Sequence, residues 1–222
     1  MPSVVFFDDQ FSGSGDNNGA SPDTLGFNSF AWSTGNGTAV RSSGKLTTTS
    51  PYPTGSFITS SSYGEDGSTP DHIAYTPAGG WDMRFSWTAA PTLDTSKSAI
   101  GVGGRHAGYT FQDGFTIQWD GSQWIMNVAG YSITQPVTLA GGGTYLGSIK
   151  VIPGTTILTF GATVVTVSNS YTSSDRLDLD YLNIQQSTDS TFDYVTIYSI
   201  DAPPPEDTPD FWTMFVGTHE VP

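Results

Sequence analysis

Apolar residues along this chain come in short runs, and in several of them every second position is apolar. Between the runs lie clusters of Gly, Ser, Asn, Asp and Pro, the punctuation of antiparallel strands and their turns. The pattern predicts strands at Val4 to Phe7, Thr38 to Thr49, Ser56 to Thr59, Trp81 to Thr88, Ala99 to Gly103 and Phe115 to Trp119. Further strands are predicted at Gln123 to Val128, Tyr145 to Ile152, Thr156 to Phe160, Thr163 to Val167, Tyr181 to Gln185 and Phe192 to Ile200. No helical periodicity intervenes, which excludes a parallel βαβ architecture. Alternation assigns faces within the runs. Trp81, Met83, Phe85 and Trp87 share one side and Asp82, Arg84 and Ser86 the other, so this strand is expected to be half buried. Phe115, Ile117 and Trp119 alternate with Thr116 and Gln118 in the same way. An Asp120-Gly121 turn then predicts a hairpin into Gln123 to Val128, Gly161-Ala162 predicts a second hairpin, and Pro153-Gly154 marks the turn before it.

A chain of 222 residues is long enough for one substantial core, and with 13% aromatic residues it is expected to be globular. Seven Lys+Arg stand against 21 Asp+Glu, a formal net charge of −14, so phosphate backbones and anionic membranes repel it and no nucleic-acid partner is expected. The absence of cysteine removes disulfides, thiolate catalysis and Cys-type zinc sites. The opening MPSVVFFDDQF has no basic segment, and its apolar run is too short for a signal peptide or a membrane span. The expectation is a protein made in the cytoplasm that leaves it only within a larger assembly or by lysis. A virion component fits, and so does an ordinary cytosolic protein.

Several segments resemble the LamG-like or concanavalin A-like jelly rolls found in many phage structural proteins. DDQFSGSG followed by FAWSTGNGTAVRSSGKL resembles their first strands, and AIGVGGR, with Arg105, their central strand. FTIQWDGSQWIMNVAG is similar to their paired strands across a short turn, YLGSIKVIPGTTILTFGATVVTVSN to the hairpin that follows, and FDYVTIYSI to the closing strand. The resemblance spans residues 4 to 201 and carries no catalytic signature. It implies an all-β, antiparallel two-sheet β-sandwich over residues 1–201, and a virion structural protein: a capsid decoration, fibre or tail-associated subunit. The rival reading is a carbohydrate-binding module that attaches to host-surface glycans, which would need exposed aromatic platforms flanked by Asn, Asp or Gln.

Beyond Ile200 the pattern changes. DAPPPEDTPDFWTMFVGTHEVP places a Pro-rich acidic spacer before Phe211, Trp212, Met214, Phe215 and Val216, so residues 202–222 read as an extended arm. The aromatic cluster either folds back on its own domain, anchors the chain in a neighbouring virion protein or a second copy, or stays disordered.

Catalysis is not expected. Glycoside hydrolysis needs two carboxylates about the scissile bond, and Glu65, Glu206 and Glu220 all lie outside the strand runs. Gly101, Gly103 and Gly104 lack the helix and the Lys-Ser/Thr of a phosphate loop, and His72 and His106 have no Gly-x-Ser-x-Gly elbow to serve. No cofactor is expected except a structural calcium ion, for which Asp175, Asp178 and Asp180 offer oxygen ligands, as do Asp8, Asp9, Asp16, Asn17 and Asn18. Capping of local turns explains the same residues. For a glycan, the candidates are Trp124 with Asn127, beside the Asp120-Gly121 turn, and Tyr63, Tyr109 and Tyr131 in Gly-rich loops. Core packing is the competing role for Trp124, as it is for Trp81, Trp87 and Trp119.

Overall fold

A computed structural model describes residues 3–16, 20–21, 23–25, 30–33, 39–48, 55–60, 79–96, 98–107, 110–169, 181–186 and 189–200. In chain order its strands are β1 (Ser3–Asp9), β2 (Gly15–Asp16), β3 (Thr24–Leu25), β4 (Phe30–Ser33), β5 (Ala39–Ser42), β6 (Lys45–Thr48), β7 (Gly55–Ser60) and β8 (Trp81–Thr88). They continue with β9 (Ile100–Ala107), β10 (Thr110–Trp119), β11 (Trp124–Val128), β12 (Ile133–Pro136), β13 (Thr144–Ile152), β14 (Thr155–Phe160), β15 (Thr163–Ser168), β16 (Tyr181–Gln186) and β17 (Thr191–Ile200). The described residues contain no helix.

The strands pair antiparallel in two sheets. One runs β15-β14-β13-β8-β17-β6-β5-β2, with β1 added to β17 and β3 to β1; the other runs β12-β11-β10-β9-β16-β7-β4. The inner faces meet over an aromatic core. Phe85 of β8 lies 6.2 Å from Phe115 of β10 and 5.8 Å from Phe192 of β17, and Phe160 of β14 lies 6.0 Å from both Phe115 and Trp87. These rings are fully buried, and each removes a large apolar area from water. Gly147 makes room for one of them, because a Cβ there would run into the Phe85 ring across the strand pair. The protein is an all-β, jelly-roll β-sandwich.

The predicted turns stand where the dipeptides place them. Asp120 closes the β10–β11 loop by accepting the backbone N–H groups of Ser122 at 2.8 Å and Gln123 at 2.9 Å. Those hydrogen bonds favour the carboxylate and hold its pKa below the ordinary value. Pro153-Gly154 joins β13 to β14, and Gly161-Ala162 joins β14 to β15.

Three expectations are corrected. Thr38 to Thr49 is not one strand but the hairpin β5–β6, because Ser43 and Gly44 at φ 54° and 71° supply the left-handed pair that a tight hairpin turn requires. β12 went unpredicted, as did the two-residue β2 and β3, while β4 is the Trp-containing strand that the resemblance implies at FAWS. The strand Trp81–Thr88 is more than half buried. Of its outward residues Arg84 is exposed, but Asp82 and Ser86 are covered, since β8 is central and the longer side chains of β17 and Arg84 itself lie over the short ones.

One edge of β17 is divided. β6 pairs with its start at Thr191 and Phe192, and β1 pairs with Val195 to Ile200. At the junction a bulge leaves Asp193 beside Lys45 (3.0 Å) and the Ser86 hydroxyl (2.8 Å). Nearby, Asp9 is wholly buried and pairs with Arg41 of β5 at 2.6 Å, while its other oxygen accepts the Phe11 N–H at 2.7 Å. The Arg41 guanidinium lies 5.6 Å over the Phe11 ring. Phe11 is itself fully buried at φ 52°, a conformation costly for an aromatic residue.

Candidate functional site

Each sheet has an outward face, and the two differ in how far their polar groups are already engaged. On the ten-stranded sheet they bond one another. Arg84 donates from Nε (3.1 Å) and Nη2 (2.7 Å) to Asp82 and stacks 4.8 Å over Tyr198. The hydrogen bond to Asp82 keeps the guanidinium firmly charged. Thr88 bonds Thr144 across the strands, and Thr196 donates to Asp8. Beside them Tyr194 is held neutral to a higher pH than usual, mainly because burial penalises the phenolate and secondarily because Tyr198 is close.

The seven-stranded sheet differs. Register aligns Thr134 of β12, Asn127 of β11, Thr116 of β10, Gly101 of β9 and Gln185 of β16 in one row across five strands. At about 4.8 Å per strand the row is about 19 Å long. Thr116, Gln118 and Asn127 are half-buried, Thr134 is exposed, and no hydrogen bond among the described residues engages their side chains. Gly103 and Gly114 pair beside the row, and these two and Gly101 are buried. Gly114 is fixed sterically as well, since a Cβ there would meet the Val102 carbonyl.

Charge is nearly absent from these seven strands. Of the chain's 21 Asp+Glu they contain Asp113 alone, and of its 7 Lys+Arg they contain Arg105 alone. What the row offers is amide and hydroxyl groups.

The structure separates residues that the sequence grouped together. Trp124 and Asn127 are three apart on β11, and in a strand that puts them on opposite faces. Asn127 is on the outward row. Trp124 is 6% exposed and packs edge-on against Trp119 at 5.6 Å on the inner side, so as a stacking platform for a sugar it is corrected to a core residue. Tyr131 is packed against the core, its hydroxyl donating to the Ser168 carbonyl at 3.2 Å. Tyr63 and Tyr109 lie outside the described residues, as do Asp175, Asp178 and Asp180 and the arm residues Phe211, Trp212, Met214, Phe215 and Val216. Among the described residues no group of three His, Cys, Asp or Glu could hold a metal ion. Asp8 and Asp9 of the N-terminal acidic cluster are engaged by Thr196 and Arg41. Thr116 and Gln118 were missed as site residues; their signal was the polar half of the alternation, legible in β10 but not joined to its neighbours without the register.

No protein-family model matches the chain, and no curated protein matches it in sequence. Solved structures do match in fold. The chain is similar to the CBM2 module of the evolved Dit of Lactobacillus casei BL23 phage J-1, at 12% identity, TM-score 0.52 and coverage of 91% of this chain and 98% of that one. It is also similar to a structure from work on endo-acting O-glycanases that members of the human gut microbiota express to initiate mucin breakdown. There the identity is 11%, the TM-score 0.51, and 89% of this chain and all of that one are covered. At such identities the likeness is one of fold.

Proposed function

We propose that this sandwich is a carbohydrate-binding module and that a glycan lies along the outward row of the seven-stranded sheet. The observation that carries the reading is the unengaged row Thr134, Asn127, Thr116, flanked by Gln118. Amides and hydroxyls in a row match the hydroxyls of a sugar chain, and strands that hold one acid and one Arg on a chain of net charge −14 spare an acidic glycan the repulsion it would meet elsewhere. Among the described residues the seven strands hold a single acid, Asp113, which favours binding over cleavage. A glycan array read with the whole chain, then titrations with Asn127→Ala and Thr116→Ala, tests this. The expected result is a glycan bound by the parent chain and weakened about tenfold or more by either substitution. Binding that neither substitution changes places the site elsewhere, and an array with no bound glycan overturns the reading.

We further propose that the module is carried on a virus particle, anchored to other virion proteins through Phe211, Trp212, Met214, Phe215 and Val216. The sequence resemblance to phage jelly rolls supports this placement, and a module of the same fold occurs in a phage Dit. Comparing the full chain with a version ending at Asp201 in a pull-down on stripped particles is the test. A truncated domain that stays folded and still associates refutes the anchor.

A further inference from the structure

Not every polar group on the outward face of the ten-stranded sheet belongs to its bonded network. Lys150 alternates with Ile149 and Val151, both buried in the core, so it stands on the outward side of β13, and Ser148 precedes it there by two positions. Neither makes an ion pair or a hydrogen bond among the described residues. Register sets Lys150 opposite Asp82 and Ser148 opposite Arg84. The Arg84 guanidinium is spent on Asp82 through Nε and Nη2, with no bond at Nη1 among the described residues. Two cationic groups and a hydroxyl thus share one patch.

Charge around this patch differs from that of the chain as a whole. Asp82 is matched by Arg84, and residues 121–174 hold Lys150 and no acid, on a chain of net charge −14. Asp8, which lies two strands along the row of Arg84, accepts from Thr196 and Gln10. Leu146 and Val164, on the same side of the sheet, are 63% and 59% exposed, so among the described residues nothing covers this part of the face. The patch is open and attracts an anionic segment.

The chain carries such a segment next to it. Ile200, the last residue of β17, donates to the Gly80 carbonyl, one step before Trp81, which pairs with Val151 of β13. From Ile200 to Lys150 is therefore two strand spacings across and two residues along, about 12 Å. Residues 201–222 lie outside the described residues; in sequence they hold Asp201, Glu206, Asp207, Asp210 and Glu220 and no Lys or Arg. Pro203, Pro204 and Pro205 favour polyproline II geometry, in which the six residues from Ile200 to Glu206 span up to about 19 Å. The reach is sufficient.

We propose that the acidic spacer crosses β8 and lies over β13 of its own domain, with Glu206 and Asp207 against Lys150 and Arg84 Nη1 and the Ser148 hydroxyl donating to the same carboxylates. Each exposed pair is weak by itself, but the tether keeps the acids at high effective concentration over the patch. Phe211 follows Asp207 by four residues, so the aromatic cluster leaves the domain on the β14–β15 side rather than from the middle of the sheet where β17 ends. On the reading of that cluster as an anchor, the strap sets the side from which the sandwich is held and leaves the seven-stranded sheet facing away.

The chain has no cysteine, so Thr208→Cys gives one attachment point for a nitroxide spin label on the whole chain. The expected result is magnetic-resonance line broadening of the Leu146 to Ile152 amides that exceeds that on β10 and β11, does not depend on protein concentration, and falls about threefold or more with Lys150→Glu or in about 1 M salt. Glu206→Lys/Asp207→Lys is expected to lose the broadening and to regain it when combined with Lys150→Glu, which the mere nearness of a tethered segment does not produce. Circular dichroism like that of the parent shows each variant folded. Broadening that Lys150→Glu leaves unchanged, or that grows with concentration and so comes from another copy's arm, overturns the proposal. No particle is present in the measurement, so the strap stands or falls separately from the anchor.

Discussion

Removing one member of the Asp9–Arg41 pair is the most informative perturbation of the fold. Asp9 is 0% exposed and Arg41 5%, and the pair joins strands 32 residues apart in sequence. Arg41→Ala leaves the Asp9 carboxylate buried without the guanidinium, and breaking a buried pair in this way costs about 3–5 kcal/mol. It also uncovers Phe11, held at φ 52° by its N–H bond to the same carboxylate. Against a total stability of about 5–15 kcal/mol, such a loss moves the urea midpoint down by about 1.5–2 M. The assay is equilibrium unfolding followed by tryptophan fluorescence, with Arg41→Ala beside Asp9→Leu/Arg41→Met, in which both charges are replaced by apolar side chains. The double variant is expected to recover most of the loss, because no buried charge remains. If Arg41→Ala costs less than about 1 kcal/mol, the carboxylate is not in the dry environment inferred for it.

Gly147→Ala forces a methyl into the Phe85 ring and is expected to cost about 1–3 kcal/mol in the same unfolding experiment. Asp120→Ala removes the cap of the β10–β11 turn. Since the folded pKa lies below the ordinary 3.8, the parent's advantage is expected in full above that pH and to vanish as pH falls through the folded value, so parent and variant melting temperatures should converge in acid. Tyr194, with its pKa raised above 10.0, is expected to ionise late in an alkaline ultraviolet titration. Its contribution to stability falls as pH climbs past the unfolded value, and a Tyr194→Phe chain should lose less stability there.

How much of this was legible beforehand depended on whether a feature is local. Turn dipeptides act through their own backbone, so Asp120-Gly121, Pro153-Gly154 and Gly161-Ala162 were read correctly. Ser43-Gly44 was passed over because a serine at positive φ carries little signal. β12, with a proline at its end and one large apolar residue, reads as loop until the ladder to β11 is seen. Trp124 and Asn127 were grouped by nearness in sequence, when period-2 alternation already divides them. The outward row could not be read at all. It joins residues from 101 to 185, and only strand register brings them into line. The burial of Asp82 has the same origin, since its cover comes from a neighbouring strand.

The divided edge of β17 also sets a timetable. This strand lies between β8 on one side and β6 and β1 on the other, so the first and last described strands, Ser3–Asp9 and Thr191–Ile200, meet in the middle of the larger sheet. A ribosome delivers Thr196 188 residues after Asp8, the residue it bonds. Until Thr191 to Ile200 emerge, Phe85 and Trp87 lack Phe192 and Val195 beside them, and β1 has only the two-residue β3 to join. Contacts of such long sequence separation form slowly, because loop closure must precede the gain from pairing. Assembly therefore waits for Thr191–Ile200 to emerge, and a nascent chain stalled before Thr191 is expected to be cut by protease at sites that the finished sandwich protects.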